Sequence, residues 1–459
     1  MSTSRPFAGS LLRASLRSVA IALLLVGMEA IPAQAAAGDL DPAFGTGGKV
    51  ITILPNKGWA NQIAIQPDGK LDVAGHDGSG KVTNFSLIRY NTDGSLDTTF
   101  GSGGIVTTDF GGADYARAVV LQSGGRIILG GQGGVAPDFG LARYNPDGSL
   151  DTTFGVGGKV TTDFNGTQDV IRALLIGPSG GKIIAAGFTG STGHYDFALA
   201  RYLPNGSLDP TFGVGGKVTT DFGGVDQGRG AILQSDGKIV VTGFSKLGGV
   251  VSDFALARYM PNGSLDSTFG VGGKVTTDFG AYEIARAIVL QPDGKIVAGG
   301  YSGCCGGGQP TFRSGVASDL DGLGECSPSD FALARYNPDG TLDTTFGPDG
   351  TGKVLTDFNG TGDHARGLAL QSDGKLVLAG NSANCTTGTD TFALARYNPD
   401  GSLDSAFGTG GLVTTNMGPG QQGARDVKIQ ADGKIVLAGI IAAASGGGFE
   451  YALARYLGS

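Results

Sequence analysis

Hydrophobic positions in this chain fall into short alternating runs that recur seven times. A clear copy, residues 330–336, reads Asp-Phe-Ala-Leu-Ala-Arg-Tyr, so that Phe331, Leu333 and Arg335 share one face. A period of two residues is typical of a half-buried β-strand. Asp-Gly or Asn-Pro-Asp-Gly sequences bound many of the runs, and they favour tight turns because glycine accepts the positive φ that such turns need. Each repeat therefore predicts four short antiparallel strands and no helix.

The repeats can be counted on the Arg-Tyr pair that ends the third strand. Its tyrosines recur at spacings of 54 to 77 residues, at Tyr90, Tyr144, Tyr202, Tyr259, Tyr336, Tyr397 and Tyr456. The Leu-Asp-x-x-Phe-Gly run and the turn before the second strand also occur seven times. Self-similarity at a long, roughly fixed period indicates a solenoid, a propeller or an array. Radial repetition leaves only short, protected sheet edges, whereas a solenoid needs polar capping repeats that this chain lacks.

The two ends of the repeat array are complementary. Residues 39–54 resemble a fourth strand without the first three, and the last repeat stops just after its third strand, at Tyr456. We therefore predict an all-β fold: a seven-bladed β-propeller of four-stranded antiparallel blades, closed by the N-terminal strand. Residues 38–459 form this single domain, with the outer strand of blade 7 from 39–54 and blades at about 61–110, 115–164, 170–222, 228–279, 283–358, 363–417 and 423–457.

Residues 1–37 have the pattern of a secretory signal peptide. Three arginines precede an apolar run from Val19 to Met28, and Ala33-Gln34-Ala35 supplies a small-x-small cleavage site. The apolar run is shorter than the roughly 20 residues that span a bilayer. We expect cleavage near Ala35 or Ala37, export to the periplasm or the exterior, and no transmembrane segment.

Charge narrows the classes of partner. The net charge is −8, and loss of a leader with three arginines and one glutamate takes it to about −10. An acidic chain without a basic stripe is a poor nucleic-acid binder. Most of the 85 glycines lie at fixed places in the repeat, so they do not indicate disorder. We expect a monomer whose partner is a protein or a glycan.

The repeated motif resembles a known family. The run LARYNPDGSLDTTFGxGGKVTTDF, followed by ARAxxLQxDGKIVVAG, is similar to the delta-60 repeat of exported bacterial proteins, over essentially all of residues 39–457. The resemblance implies a β-propeller-like repeat protein without a general catalytic motif. The strand order is also similar to that of NHL-repeat propellers, which implies that the first strand of each blade is innermost and the Thr-Thr-Asp-Phe strand outermost.

Two sets of arginines recur with the repeats. The arginine of each Arg-Tyr pair recurs with the aspartate of Leu-Asp, and we interpret this set as structural ion pairs. The second set begins the first strand of six blades, and Asn61 takes its place in blade 1: Arg117, Arg172, Arg229, Arg286, Arg366 and Arg425. One interpretation pairs these arginines with aspartates of their own blade, including Asp138 and Asp390. The other is a ring of guanidinium groups at the channel rim that binds an acidic sugar or a phosphate.

All four cysteines lie in the loops that follow the second strand of blades 5 and 6. These are Cys304, Cys305, Cys326 and Cys385. An exported protein meets an oxidising compartment, so two disulfides with three alternative pairings are expected. Pairing of Cys385 with Cys326, or with one of the vicinal cysteines, is favoured. Thiolate metal binding is disfavoured because no CxxC or CxH spacing occurs.

One further segment is a candidate metal site. Asp319, Asp321 and Glu325 alternate around Gly322 and suggest an oxygen-ligand calcium loop, although the segment is shorter than an EF-hand loop. Calcium is therefore the one candidate cofactor, and the alternative is a plain acidic loop.

Signals for catalysis are few. His76, His194 and His364 come from distant blades and are expected as surface residues in loops, and no GxSxG, HExxH or Walker run occurs. The favoured function is an exported, non-enzymatic propeller scaffold that recognises an envelope protein or glycan through one rim. The alternative is a calcium-assisted hydrolase or lyase acting on a sugar or ester at the channel mouth, with a rim histidine or aspartate as base.

Overall fold

The computed structural model describes residues 35–79, 82–165, 168–178, 180–191, 193–247, 251–303, 328–358, 362–384 and 389–459. Within these ranges the chain consists of strands and turns, with a single 3₁₀ turn at Ser123–Gly125. Residues 36–459 cluster as one compact unit. No helix in the described ranges combines the length and the apolar character needed to cross a membrane.

The described strands form seven four-stranded antiparallel blades. The innermost strands are β2 (Gly58–Ile65), β6 (Tyr115–Leu121), β10 (Gln168–Ile176), β14 (Val225–Leu233), β18 (Tyr282–Leu290), β22 (Gly362–Leu370) and β26 (Gln422–Ile429). The second strands are β3 (Leu71–Ser79), β7 (Ile127–Gly133), β11 (Ile183–Ser191), β15 (Ile239–Lys246), β19 (Ile296–Gly303), β23 (Leu376–Asn384) and β27 (Ile435–Ala442).

The outer half of each blade has a longer third strand and a short fourth one. The third strands are β4 (Val82–Tyr90), β8 (Asp138–Tyr144), β12 (His194–Tyr202), β16 (Asp253–Tyr259), β20 (Ser329–Tyr336), β24 (Thr389–Tyr397) and β28 (Phe449–Tyr456). The outermost strands are β5 (Ile105–Thr108), β9 (Lys159–Thr162), β13 (Lys217–Thr220), β17 (Lys274–Thr277), β21 (Lys353–Thr356), β25 (Leu412–Thr415) and, for blade 7, β1 (Lys49–Thr52).

The blades are arranged in a closed ring. Each innermost strand contacts the innermost strand of the next blade, and β26 of blade 7 contacts β2 of blade 1. A single parallel bridge between Ser329 and Gly362 also joins blades 5 and 6. Apolar side chains of facing sheets pack between successive blades, as at Leu174 and Ile183 beside Phe139 and Leu141. The structure confirms the predicted all-β, seven-bladed propeller.

The N-terminal strand completes blade 7. β1 pairs antiparallel with β28, with Lys49 opposite Ala454 and Thr52 opposite Tyr451. Asp41 forms an ion pair of 2.8 Å with Arg455. Because this strand covers the exposed edge of β28, the ring is closed by chain ends that are far apart in sequence.

Two recurrent side-chain contacts join each blade to its neighbour. The tyrosine that ends the third strand hydrogen-bonds, at 2.7–2.9 Å, a threonine on the outermost strand of the preceding blade, in all seven junctions. The arginine before that tyrosine donates from Nη1 to a backbone oxygen in the following blade, as Arg89 does to Pro146 at 2.7 Å. Arg455 makes this contact with Thr92 of blade 1. Both side chains therefore stabilise the ring.

The expected pairing of that arginine with the Leu-Asp aspartate holds in six blades, at 2.7–2.9 Å. In blade 1 the expectation is wrong. Arg89 pairs with Asp72 at 2.7 Å, and Asp97 pairs with Lys70 at 2.8 Å. Asp72 lies opposite Arg89 on β3 and is fully buried, at a position that is isoleucine or valine in the other blades. Burial raises the pKa of Asp72 despite the nearby guanidinium.

Candidate functional site

A β-bulge interrupts the innermost strand of every blade at one position. In blade 3, Ile171 pairs with Gly187 and Ala173 with Ala186, so Arg172 between them is left out of the register. A bulge leaves its extra residue unpaired and re-aims its side chain. The bulged residues are Asn61, Arg117, Arg172, Arg229, Arg286, Arg366 and Arg425.

A glycine on the second strand permits each bulge. A Cβ atom on Gly187 would lie 1.9 Å from the carbonyl oxygen of Val170, and the corresponding distances in the other six blades are 1.7–2.1 Å. Such contacts are impossible, so any other residue would force the two strands apart. Glycine inside a strand often marks a bulge. The glycine of the second strand was therefore the signal in the sequence for the bulge, and it lies on the strand next to that of the arginine.

The bulged side chains converge on one central cavity of about 240 Å³. Its lining includes all six predicted arginines and Asn61, together with small and apolar residues of the same strands such as Ala173 and Ile288. These are the residues that the sequence analysis placed together at the channel rim. Lys428 and Asp426 also line the cavity, so seven cationic groups surround it with one carboxylate among the lining residues.

Crowding of like charges is visible in the electrostatics. Burial, together with the guanidinium groups of Arg425, Arg229 and Arg286, lowers the pKa of Arg117 to about 9. These four arginines come from blades 2, 7, 4 and 5, so the repulsion acts across the whole ring. An anion placed in the cavity would relieve this repulsion, because opposite charges favour the protonated guanidinium.

Aromatic side chains stand beside most of the cavity arginines. Five guanidinium carbons lie 5.1–5.7 Å from an aromatic ring centroid, in the pairs Arg117–Tyr115, Arg172–Phe188, Arg229–Phe244, Arg286–Tyr301 and Arg425–Trp59. Contacts of this kind are favourable when they are desolvated. Because the rings of Phe188, Phe244 and Tyr301 are at most 5% exposed, they support the guanidinium groups and are not themselves ligand surfaces.

Blades 1 and 7 contribute further polar residues to the cavity beside Asn61, and the sequence reasoning missed Gln62, Asp426 and Lys428. Asn61 Nδ2 donates to the carbonyl oxygen of Ala116 at 2.8 Å, and Gln62 Oε1 accepts from the amide of Val119 at 2.7 Å. Asp426 Oδ2 accepts from the amide of Ile63 at 2.9 Å and also pairs with Lys428. Most other blades have alanine or glycine directly after the bulge. In the sequence, these additional cavity residues could have been recognised from the glutamine or aspartate directly after the bulged residue.

Two of the three histidines are not where the sequence analysis expected them. His76 and His364 lie in strands and are only 5% and 4% exposed. His76 packs between Trp59 and Tyr115, and its pKa is held well below the usual value by burial and by Arg117 and Arg425. His364 packs edge-on against Tyr301. The expectation of surface histidines fails because their strands are covered by the adjacent blade.

His194 is exposed at the start of β12, as expected. Asp390 was expected to occupy the same place as Asp138 and does not. In blade 6 the residue before the phenylalanine is Thr391, and Asp390 points to the opposite face of the strand, where it is buried. The remaining predicted site residues lie outside the described residues: Asp319, Asp321 and Glu325 of the candidate calcium loop, and Cys304, Cys305, Cys326 and Cys385.

Comparison with solved structures gives remote likenesses. Drosophila Plexin A in complex with Semaphorin 1b is 10% identical, with a TM-score of 0.46 over 91% of this chain and 88% of that one. Chaetomium thermophilum Sqt1 bound to the N-terminus of the ribosomal protein L10 is 12% identical, with a TM-score of 0.45 over 86% and 88%. Polysaccharide lyase Uly1 is 12% identical, with a TM-score of 0.46 over 94% of each chain. Likenesses of this degree carry no argument about function.

No curated protein sequence matches the chain. A family model does, and its description is a domain of unknown function (DUF5122) beta-propeller. The matched residues are 66–100, 122–154, 181–212, 234–269, 291–313, 326–346, 371–407 and 430–458. These matches cover more than half of the sequence and recur with the blades, so the chain belongs to the DUF5122 β-propeller family.

Proposed function

We propose that this propeller is an exported, non-enzymatic binding protein that holds an acidic glycan of the cell envelope in its central cavity. The supporting observation is that six arginines from six blades line one cavity of about 240 Å³. At ~30 Å³ per water molecule the cavity has the volume of about eight waters, which suits one carboxylate-bearing sugar ring or a phosphate group. Export is part of the same proposal, and it is supported by the resemblance of the repeat to the delta-60 repeat of exported bacterial proteins.

The arrangement favours anion binding for a physical reason. Like charges repel, and the six guanidinium groups line one cavity together with Lys428, so an anion bound among them lowers their mutual repulsion. Guanidinium groups bind carboxylates and phosphates through two parallel hydrogen bonds. Because the bulges fix each arginine on a rigid strand, little ordering is needed when the ligand binds.

Binding is favoured over catalysis by the positions of the candidate bases. None of the carboxylate clusters found among the described residues includes a histidine. His76 and His364 are enclosed by aromatic rings, and burial depresses the pKa of His76. A general base must reach the proton that it abstracts. Neither His76 nor His364 is therefore placed to act as a general base at the central cavity.

Calorimetric titration of the mature protein tests the proposal. The ligands are an α-linked tetra-uronate, a neutral tetrasaccharide of glucose, and inorganic phosphate. We expect the uronate to bind and the neutral sugar not to bind, with an affinity that falls as salt is raised. Binding of phosphate alone would indicate a phosphate-bearing ligand. Absence of binding by both anions would contradict the proposal.

Variants of the cavity sharpen the test. Arg286→Gln should weaken binding about tenfold or more, because hydrogen bonds to charged groups contribute ~1.5–3 kcal/mol. Asn61→Arg would add a seventh guanidinium and should strengthen binding. Arg126→Gln is the matched control, since this arginine lies outside the cavity lining, 48% exposed beside Asp151. Equal affinities for wild type and Arg286→Gln would place the ligand elsewhere.

A further inference from the structure

Carboxylate triads occupy four consecutive blade junctions. Each triad combines an aspartate early in the third strand, an aspartate just after the outermost strand, and an acid three residues before the channel arginine of the next blade. In every triad one oxygen from each side chain lies within 4.8 Å of the others. The triads are Asp138–Asp163–Asp169, Asp196–Asp221–Asp226, Asp253–Asp278–Glu283 and Asp330–Asp357–Asp363.

The junction between blades 4 and 5 shows how the fold positions a triad. Asp253 belongs to β16, Asp278 follows β17, and Glu283 lies on β18 of the next blade. Glu283 is fully buried, and its Oε1 accepts a hydrogen bond of 2.6 Å from the amide of Ala281. Asp278 is exposed to solvent. One triad therefore joins two blades and is accessible from the surface.

An oxygen of this triad has no hydrogen-bond partner. Glu283 Oε2 has no hydrogen-bond donor among the described residues. The side chain also has no exposed surface, so bulk water does not replace that donor. Buried polar atoms are normally satisfied. Because one oxygen each of Asp253, Asp278 and Glu283 lie within 4.8 Å of one another, a cation held by the three acids would satisfy the buried carboxylate.

The junction between blades 6 and 7 is an internal comparison without charge. Gln422 replaces the buried acid, Asn416 the exposed aspartate, and Thr391 the aspartate of the third strand. There, Gln422 Nε2 donates to Asn416 Oδ1 at 3.0 Å, and Gln422 Oε1 accepts from the amide of Met417. The two amides satisfy each other directly, which two carboxylates cannot do. A cation would join the carboxylates of an acidic junction as this hydrogen bond joins the two amides.

The donors and their spacing select the cation. All the clustered atoms are carboxylate oxygens, which are ligands for hard cations. Oxygens that lie within 4.8 Å of one another can share one calcium ion, which binds oxygens at about 2.3–2.6 Å. Magnesium demands near-ideal octahedral geometry and usually keeps several waters, so a site made of carboxylates from three separate segments suits calcium better. We propose that these four triads bind calcium ions that link consecutive blades from blade 2 to blade 6.

This proposal is independent of ligand binding in the central cavity. The test uses the full mature chain, stripped with EDTA and titrated with calcium chloride by calorimetry at pH 8. We expect about four ions per chain, one for each triad, and a higher melting temperature in calcium than in EDTA. Absence of calcium binding, or identical melting temperatures, would overturn the proposal.

A double variant assigns the binding to a particular triad. Glu283→Gln with Asp278→Asn reproduces the Gln422–Asn416 pair at the junction of blades 4 and 5. It should lower the number of bound ions by one and reduce the calcium-dependent rise in melting temperature, while it still folds in EDTA by circular dichroism. Asp147→Asn is the control, because this exposed turn residue is asparagine in blade 3, at Asn205. An unchanged number of ions in the double variant would overturn the assignment.

A third arm addresses the acidic loop at residues 319–325. Asp319→Asn with Asp321→Asn should leave the four triad ions in place. If this variant removes all calcium binding, the proposed triads are wrong. If it leaves calcium binding intact while the junction variant reduces it, the triads are supported.

Discussion

Substitution of Phe44 tests whether the N-terminal strand is an integral part of the ring. Phe44 lies on the segment that leads into β1, is fully buried, and packs with its ring centroid 4.5 Å from the guanidinium carbon of Arg455. Phe212 has the same position within blade 3, is equally buried, and lies 4.6 Å from the guanidinium carbon of Arg201. The two sites therefore differ only in whether the chain is continuous between the third and the outermost strand.

The magnitude follows from burial. Truncating a buried phenylalanine to alanine costs about 3–5 kcal/mol, through lost apolar transfer energy and the cavity that remains. If the N-terminal strand is held as firmly as an internal one, Phe44→Ala and Phe212→Ala should lower the free energy of unfolding by equal amounts. If the strand detaches readily, the cost of Phe44→Ala is limited to the free energy of that local opening.

Urea denaturation measures both variants with two probes. Trp59, the single tryptophan, packs 5.0 Å from Phe449 of blade 7 and reports the junction between blades 7 and 1. Far-UV circular dichroism reports the whole ring. Coincident transitions would support an all-or-none analysis. A cost below about 1 kcal/mol for Phe44→Ala, beside 3–5 kcal/mol for Phe212→Ala, would refute closure by the N-terminal strand.

Two further predictions concern blade 1. Lys70→Met should lower the free energy of unfolding by about 0.5–1 kcal/mol at pH 7 and by much less at pH 2, as measured by urea titrations. The hydrogen bond from Lys70 is the largest cause that lowers the pKa of Asp97 to about 2 in the folded protein. The stabilisation by this carboxylate is therefore complete above the pKa of an unfolded-state aspartate, near 4, and is lost as pH falls through 2. An equal cost at both pH values would contradict this reasoning. Asp72→Val should lower the free energy of unfolding by less than about 1 kcal/mol, because Arg89 can then pair with Asp97 as in the other blades. Arg89→Met should lower it by about 3–5 kcal/mol, because Asp72 is then buried without its cation. Similar costs for these two variants would show that Arg89 cannot change partner.

Some site properties could be inferred from the sequence because they repeat with the blades. Arg172 and its counterparts occupy one position in each repeat, so radial symmetry brings them to the same level of the channel. Their convergence needed no knowledge of side-chain contacts. By contrast, Asp72 and Arg89 lie on neighbouring strands of the divergent blade, and only the antiparallel register places them opposite each other.

The number of blades, the strand order and closure by residues near Lys49 follow from the sequence alone, because hairpin turns and two-residue alternation are local signals. Tertiary structure decided which side chains meet between blades. Glu283 and Asp253 are 30 residues apart and belong to different sheets, and their proximity depends on how two blades pack. The burial of His76 has the same origin, since the adjacent blade covers its strand. A repeat period sets which positions are equivalent, but the bulges and the packing between blades set the direction in which each side chain points.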